Sequence, residues 1–190
     1  MKKTRVILIG MACICLAVGS YYYVTHKAAR DDVEVTEVQK VILRDLSGKS
    51  YPATPREVLK FYNRIICCFY NEEYTEDEFQ KLADQSLALM DQELLSVNPA
   101  DQYYAKLKSE VESYREEDRM ISNADVCSSN DVTYSKLDGK ECAYATASYF
   151  VRDKGGFSKS KQSYVLRKDE EGRWKILAFQ LEEGASEEDE

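Results

Sequence analysis

The spacing of apolar residues changes once along this chain. Between Thr54 and Asp118 apolar side chains recur every third or fourth position, and from Ile121 to Leu181 they recur every second. The first spacing lays a stripe along one side of an α-helix; the second puts alternate residues on one face of a β-strand. Val58, Tyr62, Ile65, Ile66 and Phe69 predict a helix running to about Asn71, with Leu59 and Tyr70 widening its apolar face. Phe79, Leu82 and Ala83 predict a second helix that breaks before Leu94-Leu95, and Tyr103, Leu107, Val111 and Tyr114 predict a third. Upstream, Val38, Val41, Ile42 and Leu46 place a short helix over Thr36–Leu46 with Gly48 as its stop, although their β-branched content also permits a strand.

The helix starts are written in capping chemistry. Thr54-Pro55-Arg56-Glu57 is a capping box with proline at the first helical position, and Thr75-Glu76-Asp77-Glu78 is a second box. Asn98-Pro99 reads as the same cap-plus-proline device opening the third helix.

The strand half opens with Ile121–Cys127 and centres on Glu141–Leu181. There, three runs are separated by Lys154-Gly155-Gly156 and by Asp169-Glu170-Glu171-Gly172, the punctuation of an antiparallel meander. In the first run Ala143, Ala145, Ala147, Tyr149 and Val151 share one face; Cys142, Tyr144, Thr146, Ser148 and Phe150 share the other. Val132–Leu137 belongs to a hairpin turning at Asp138-Gly139. In the last run Trp174 and Ile176 alternate on one face, then Leu177, Phe179 and Leu181 mark the other, which calls for a bulge or for cover on both faces. Helices followed by a meander make an α+β fold, with the helices packed on one face of a curved sheet.

The first thirty residues follow a different pattern. Val6–Val24 is an uncharged run of bilayer-spanning length, preceded by Lys2, Lys3 and Arg5. That arrangement predicts a cytoplasmic N-terminus and an extracytoplasmic remainder, although His26, Lys27 and Arg30 dilute the charge bias. No small-x-small cleavage site precedes Tyr21, and Tyr21, Tyr22 and Tyr23 suit an interfacial belt, so a retained signal anchor is favoured over a cleaved signal peptide. The organisation is thus an anchor over 1–30, a tether with a short helix over 31–53, the α+β domain over 54–182 and a disordered acidic tail over 183–190. Residues 1–30 hold five of the 26 basic residues and none of the 34 acidic ones, leaving 21 against 34, a net charge of −13. Such a surface repels nucleic acid and anionic lipid headgroups.

Cysteine and histidine chemistry is sparse. Cys13 and Cys15 fall in the apolar run, and Cys67 and Cys68 are helix neighbours whose side chains diverge. Only Cys127 and Cys142 could pair; all four outside the anchor read more simply as small core residues. The single histidine, His26, lies beside the anchor and no C-x-x-C occurs, so neither zinc nor any other cofactor is expected.

Five separated motifs carry a resemblance: TPREVLKFYNRI (Thr54–Ile65), YNEEYTEDEFQKLAD (Tyr70–Asp84), LLSVNP (Leu94–Pro99), the step Arg119–Ser122 and LRKDEEGRWKIL (Leu166–Leu177). Together they resemble an uncharacterised clostridial family of single-pass, membrane-anchored proteins, a domain of unknown function. The terminal hairpin with its Trp-Lys-Ile strand is similar to nuclear-transport-factor-2-like (cystatin-like) domains. The resemblance implies a strongly curved sheet wrapped around helices as a cone, and it brings no catalytic residue.

If the cone holds a pocket, Tyr62 on the first long helix and Tyr144 or Thr146 on the sheet are its candidate lining; otherwise they are core aromatics with satisfied hydroxyls. Arg152, Lys154, Lys159 and Lys161 gather around the Gly155-Gly156 turn as a candidate contact loop, or simply as a solvated tip. Arg64 beside the apolar face of its helix predicts a half-buried pair with a carboxylate. No nucleophile–base pair, metal set or phosphate loop is visible, so no enzyme is expected. Two roles remain: an anchored interaction domain with an envelope protein partner, or a small-molecule pocket domain using the cone interior. A filled core with an exposed apolar patch favours the first; an apolar cavity with converging polar groups favours the second.

Overall fold

The computed structural model describes residues 35–182. The described residues from Glu37 onward form one compact unit. The expected span over 6–24, the first residues of the tether and the tail from 183 lie outside the described residues. Among the described residues no helix is long and apolar enough to cross a membrane.

Five helices come first: α1 (Glu37–Ile42), α2 (Pro55–Asn71), α3 (Glu76–Leu87), α4 (Gln92–Val97) and α5 (Ala100–Glu116). Both capping boxes form. The Glu57 amide donates to the Thr54 hydroxyl at 3.2 Å while the Glu57 carboxylate accepts from the Thr54 amide, and Thr75 with Glu78 repeats the exchange. Two expected boundaries move, both because a side chain claims the backbone groups there. α1 stops at Ile42 rather than Leu46, since the Gln85 amide on α3 donates to the carbonyls of Ile42 and Arg44 and satisfies acceptors the helix end leaves open. Asn98 does not open α5; its amide donates to the Leu94 carbonyl and closes α4, and Pro99 precedes α5 without a side-chain cap.

Five antiparallel strands follow: β1 (Met120–Val126), β2 (Thr133–Leu137), β3 (Lys140–Arg152), β4 (Phe157–Lys168) and β5 (Trp174–Leu181). β1 and β2 lie one after the other along the same edge of β3, and β4 then β5 extend its other side; the sheet is not closed. Asp138 and Gly139 form the two-residue turn between β2 and β3, both at positive φ, as a hairpin with the native twist requires. The irregular last strand contains a bulge. Val165 faces Ala178 but Leu166 faces Ile176, so Leu177 is the extra residue. The bulge returns Phe179 to the face of Ile176, opposite Tyr164.

Ala143, Ala145, Ala147 and Tyr149 are buried under the helices as the alternation predicts, and Tyr144 is exposed on the other face, but Cys142 on that second face is also fully buried. These alanines leave room for the larger buried residues of α2, Leu59, Phe61, Ile65 and Phe69, in the same core. The chain between α3 and α4 shields the free edge of β5. Ile176 donates to the Leu89 carbonyl and accepts from the Asp91 amide, both at 2.8 Å.

Candidate functional site

The three-residue stagger of α2 and the two-residue stagger of the sheet bring aromatic residues together on opposite walls of one cavity of about 320 Å³. Tyr62, Ile66 and Tyr70 project from α2, and Tyr103, Leu107 and Tyr114 from α5. The sheet supplies Ile121, Tyr149, Val151, Gln162, Tyr164 and, through the bulge, Phe179. Tyr62 meets Tyr164 edge-on at 6.2 Å between ring centres, Tyr164 meets Phe179 at 5.9 Å, and Tyr70 lies against Tyr114 at 4.4 Å. Lys106 and Glu110 stand exposed at the rim.

Most of the hydroxyls are occupied. Tyr70 donates to the Glu110 carboxylate at 2.7 Å, and the Tyr103 hydroxyl is 2.7 Å from that of Ser86. Asn63, Tyr149, Tyr164 and Gln162 form a chain with contacts of 2.7, 2.7 and 2.6 Å. Tyr149 donates to the Asn63 Oδ1, Tyr164 donates to the Gln162 Oε1, and the two hydroxyls lie 2.7 Å apart. Asn63, 4 % exposed, holds the one sealed side-chain polar atom without a partner among the described residues, Nδ2. Tyr62 is different. It is 6 % exposed, and its hydroxyl has no hydrogen-bond partner among the described residues, yet it is not among the sealed orphans. Its oxygen therefore keeps open surface, and the space it opens onto is the cavity.

Burial raises the phenol pKa throughout. Tyr149 is pushed up to about 12, Tyr62 and Tyr164 lie well above the ordinary value, and Tyr70 is raised by burial and then by its bond to Glu110. These groups stay neutral near pH 7 and offer hydrogen bonds rather than nucleophiles. The sequence profile of a family described as a domain of unknown function, DUF6715, matches residues 1–179. The chain belongs to that family. No curated protein matches it.

In this DUF6715 member the three residues put forward as pocket lining separate. Tyr62 lines the cavity beneath the helices. Tyr144, 40 % exposed, and Thr146 lie on the opposite face of the sheet, where they line a hollow of about 490 Å³ with Asp131, Ser163 and Gln180. The period of two decides this: Tyr144 and Thr146 alternate with the buried alanines and so point away from them. At the β3–β4 tip Lys154 pairs with Asp118 at 2.5 Å, Lys161 pairs with Glu182 at 2.9 Å, Lys159 lies over the Phe150 ring, and Arg152 reaches the Met120 sulfur. Arg64 pairs with Glu37 as its position suggested. Cys67, Cys68, Cys127 and Cys142 are free thiols, with Cys68 pushed up to about 12 by burial. Among the described residues no three potential metal ligands come together.

Tyr149, Tyr164, Asn63 and Gln162 were not singled out by the sequence pattern as a site. A signal existed in the composition, 14 tyrosines in 190 residues, but nothing in the spacing says which phenols converge across two elements.

Proposed function

We propose that the family's domain is a non-catalytic binding module, tethered outside the cell membrane by its N-terminal segment, that holds a small molecule between its helices and its sheet. The observation that carries this reading is the 320 Å³ cavity onto which the buried Tyr62 hydroxyl opens with no partner among the described residues. Its volume is at the small end of the range of about 300–1,000 Å³ that ligand pockets occupy, and its mostly apolar wall with a few fixed polar groups is the usual make-up of such pockets. The helices-on-curved-sheet arrangement also supports a nuclear-transport-factor-2-like fold, in which this cavity is the interior of the cone.

The test is to purify the full chain from membranes and weigh what accompanies it, alongside Leu107→Trp, which fills the cavity from α5. One small molecule at one per chain, absent from a folded Leu107→Trp, is the expected result. A wild-type chain carrying nothing, but crosslinking in cells to a single envelope protein, supports the second reading. That reading rests on the outer hollow at Tyr144 and Thr146 and on Phe157, 74 % exposed beside the basic tip.

The tether has its own check. The Lys2, Lys3 and Arg5 arrangement leads us to expect that a cysteine placed at Glu187 reacts with a membrane-impermeant reagent in intact cells. Protection until lysis would reverse the assigned topology, and loss of about twenty N-terminal residues from the mature chain would make the anchor a cleaved signal peptide.

A further inference from the structure

From the hydroxyl of Tyr62 and the mostly apolar wall around it, we infer that the cavity selects a neutral, flat ring compound bearing a carbonyl oxygen, which accepts a hydrogen bond from Tyr62. The inference rests on the binding role proposed above and names its ligand class. Four other phenols on the wall already bond within the protein: Tyr70 to Glu110, Tyr103 to Ser86, and Tyr149 and Tyr164 to each other and to their amides. Tyr62 alone among these five is buried with no acceptor among the described residues. A donor that faces the cavity with no protein acceptor is free to bond an acceptor brought in by the ligand.

The wall sets the rest of the class. Tyr62, Tyr164 and Phe179 line the cavity as a run of neighbouring rings, 6.2 and 5.9 Å between centres, which favours a flat aromatic body. The charged lining residues Lys106 and Glu110 are exposed, opposite in sign, and at the rim. An anion seated at Tyr62 would lose its hydration without gaining a buried cation, which is unfavourable. A neutral carbonyl meets no such penalty.

The probes are 2-acetonaphthone, naphthalene and naphthalene-2-sulfonate, titrated by ligand-observed NMR into the detergent-solubilised full chain. 2-Acetonaphthone is expected to saturate one site per chain and to bind about five- to tenfold more tightly than naphthalene, the worth of one net hydrogen bond. Tyr62→Phe removes only the unpartnered oxygen, so it should keep the wild-type melting curve and bring the ketone down to the affinity of naphthalene. The sulfonate is expected to bind at least about tenfold more weakly than the ketone. Equal binding of ketone and naphthalene, unaffected by Tyr62→Phe, would overturn the ligand class while leaving the cavity as a site. Tighter binding of the sulfonate would also overturn it, by revealing a cation in the site. If none of the three probes binds the folded domain, the cavity reading itself fails. The probe series on the wild-type chain decides these outcomes even if the variant does not fold.

Discussion

Replacing Asp91 by alanine is expected to destabilise the domain by about 3–5 kcal/mol, read as a shift in the urea midpoint at constant slope. Asp91 is buried at the turn between α3 and α4, where three roles meet. Its carboxylate accepts from Arg167 of β4 at 2.5 and 3.0 Å, its other bond is to the Glu93 amide at the start of α4, and its own amide pairs with Ile176. Arg167 is only 16 % exposed, so losing Asp91 strands a desolvated guanidinium with the solvent-facing Glu93 as its remaining partner. The cost comes from that stranded charge more than from the bond, and the double variant Asp91→Leu, Arg167→Met should recover most of the loss. A single variant within 1 kcal/mol of wild type would show the pair to be incidental. The pH dependence follows. Burial alone would raise the Asp91 carboxyl, but the Arg167 hydrogen bonds, the Glu93 amide and the charges of Arg167 and Lys140 together hold it below its ordinary value. Its contribution is therefore fully present above the unfolded carboxylate pKa of about 3.9 and is lost as pH falls through the lower folded value. Asp91→Asn should unfold less steeply with acid than wild type over that window.

Trp174→Ala is the second large effect, on the order of 3–5 kcal/mol. Trp174 opens β5, is 6 % exposed, and packs against Tyr134 at 5.8 Å between ring centres, with the Lys168 ammonium 5.1 Å over the ring. Tyr51 donates to its backbone carbonyl at 2.8 Å, a bond that survives truncation, so the expected loss is of packing rather than of hydrogen bonding. Trp174→Phe should keep the larger share of the stability. A Trp174→Ala domain that melts like wild type but no longer binds its partner would make the residue a surface anchor instead.

Neither site stands out in the sequence to the same degree. Trp174 is the chain's single tryptophan, follows a turn and alternates with Ile176, so its burial was legible from local pattern. Asp91 was not, because its significance depends on Arg167, 76 positions away in the chain. The same distinction runs through the cavity. Tyr62 was legible as an inward-facing residue of an amphipathic helix. Its unpartnered state was not, since that depends on where Tyr149, Tyr164 and Tyr103 spend their hydroxyls.

By itself the sequence determined the elements whose signals are local. The Thr54–Glu57 and Thr75–Glu78 boxes started α2 and α3 because both capping partners lie within one turn. Asp138-Gly139 set the β2–β3 turn because both residues tolerate positive φ. The alternation along Ala143–Tyr149 chose the buried face of β3, and with it sent Tyr144 and Thr146 to the other side. Tertiary structure decided what depends on partners distant in the chain. Gln85 ended α1 early, Asn98 closed the helix before it rather than opening the one after, and the extra residue Leu177 turned Phe179 back toward Tyr164. The cavity belongs to this second group. It is the space left where the 3.6-residue period of α2 and α5 meets the two-residue period of a twisted sheet, and only the packed chain sets which side chains fill that mismatch and which, Tyr62 among them, are left facing it.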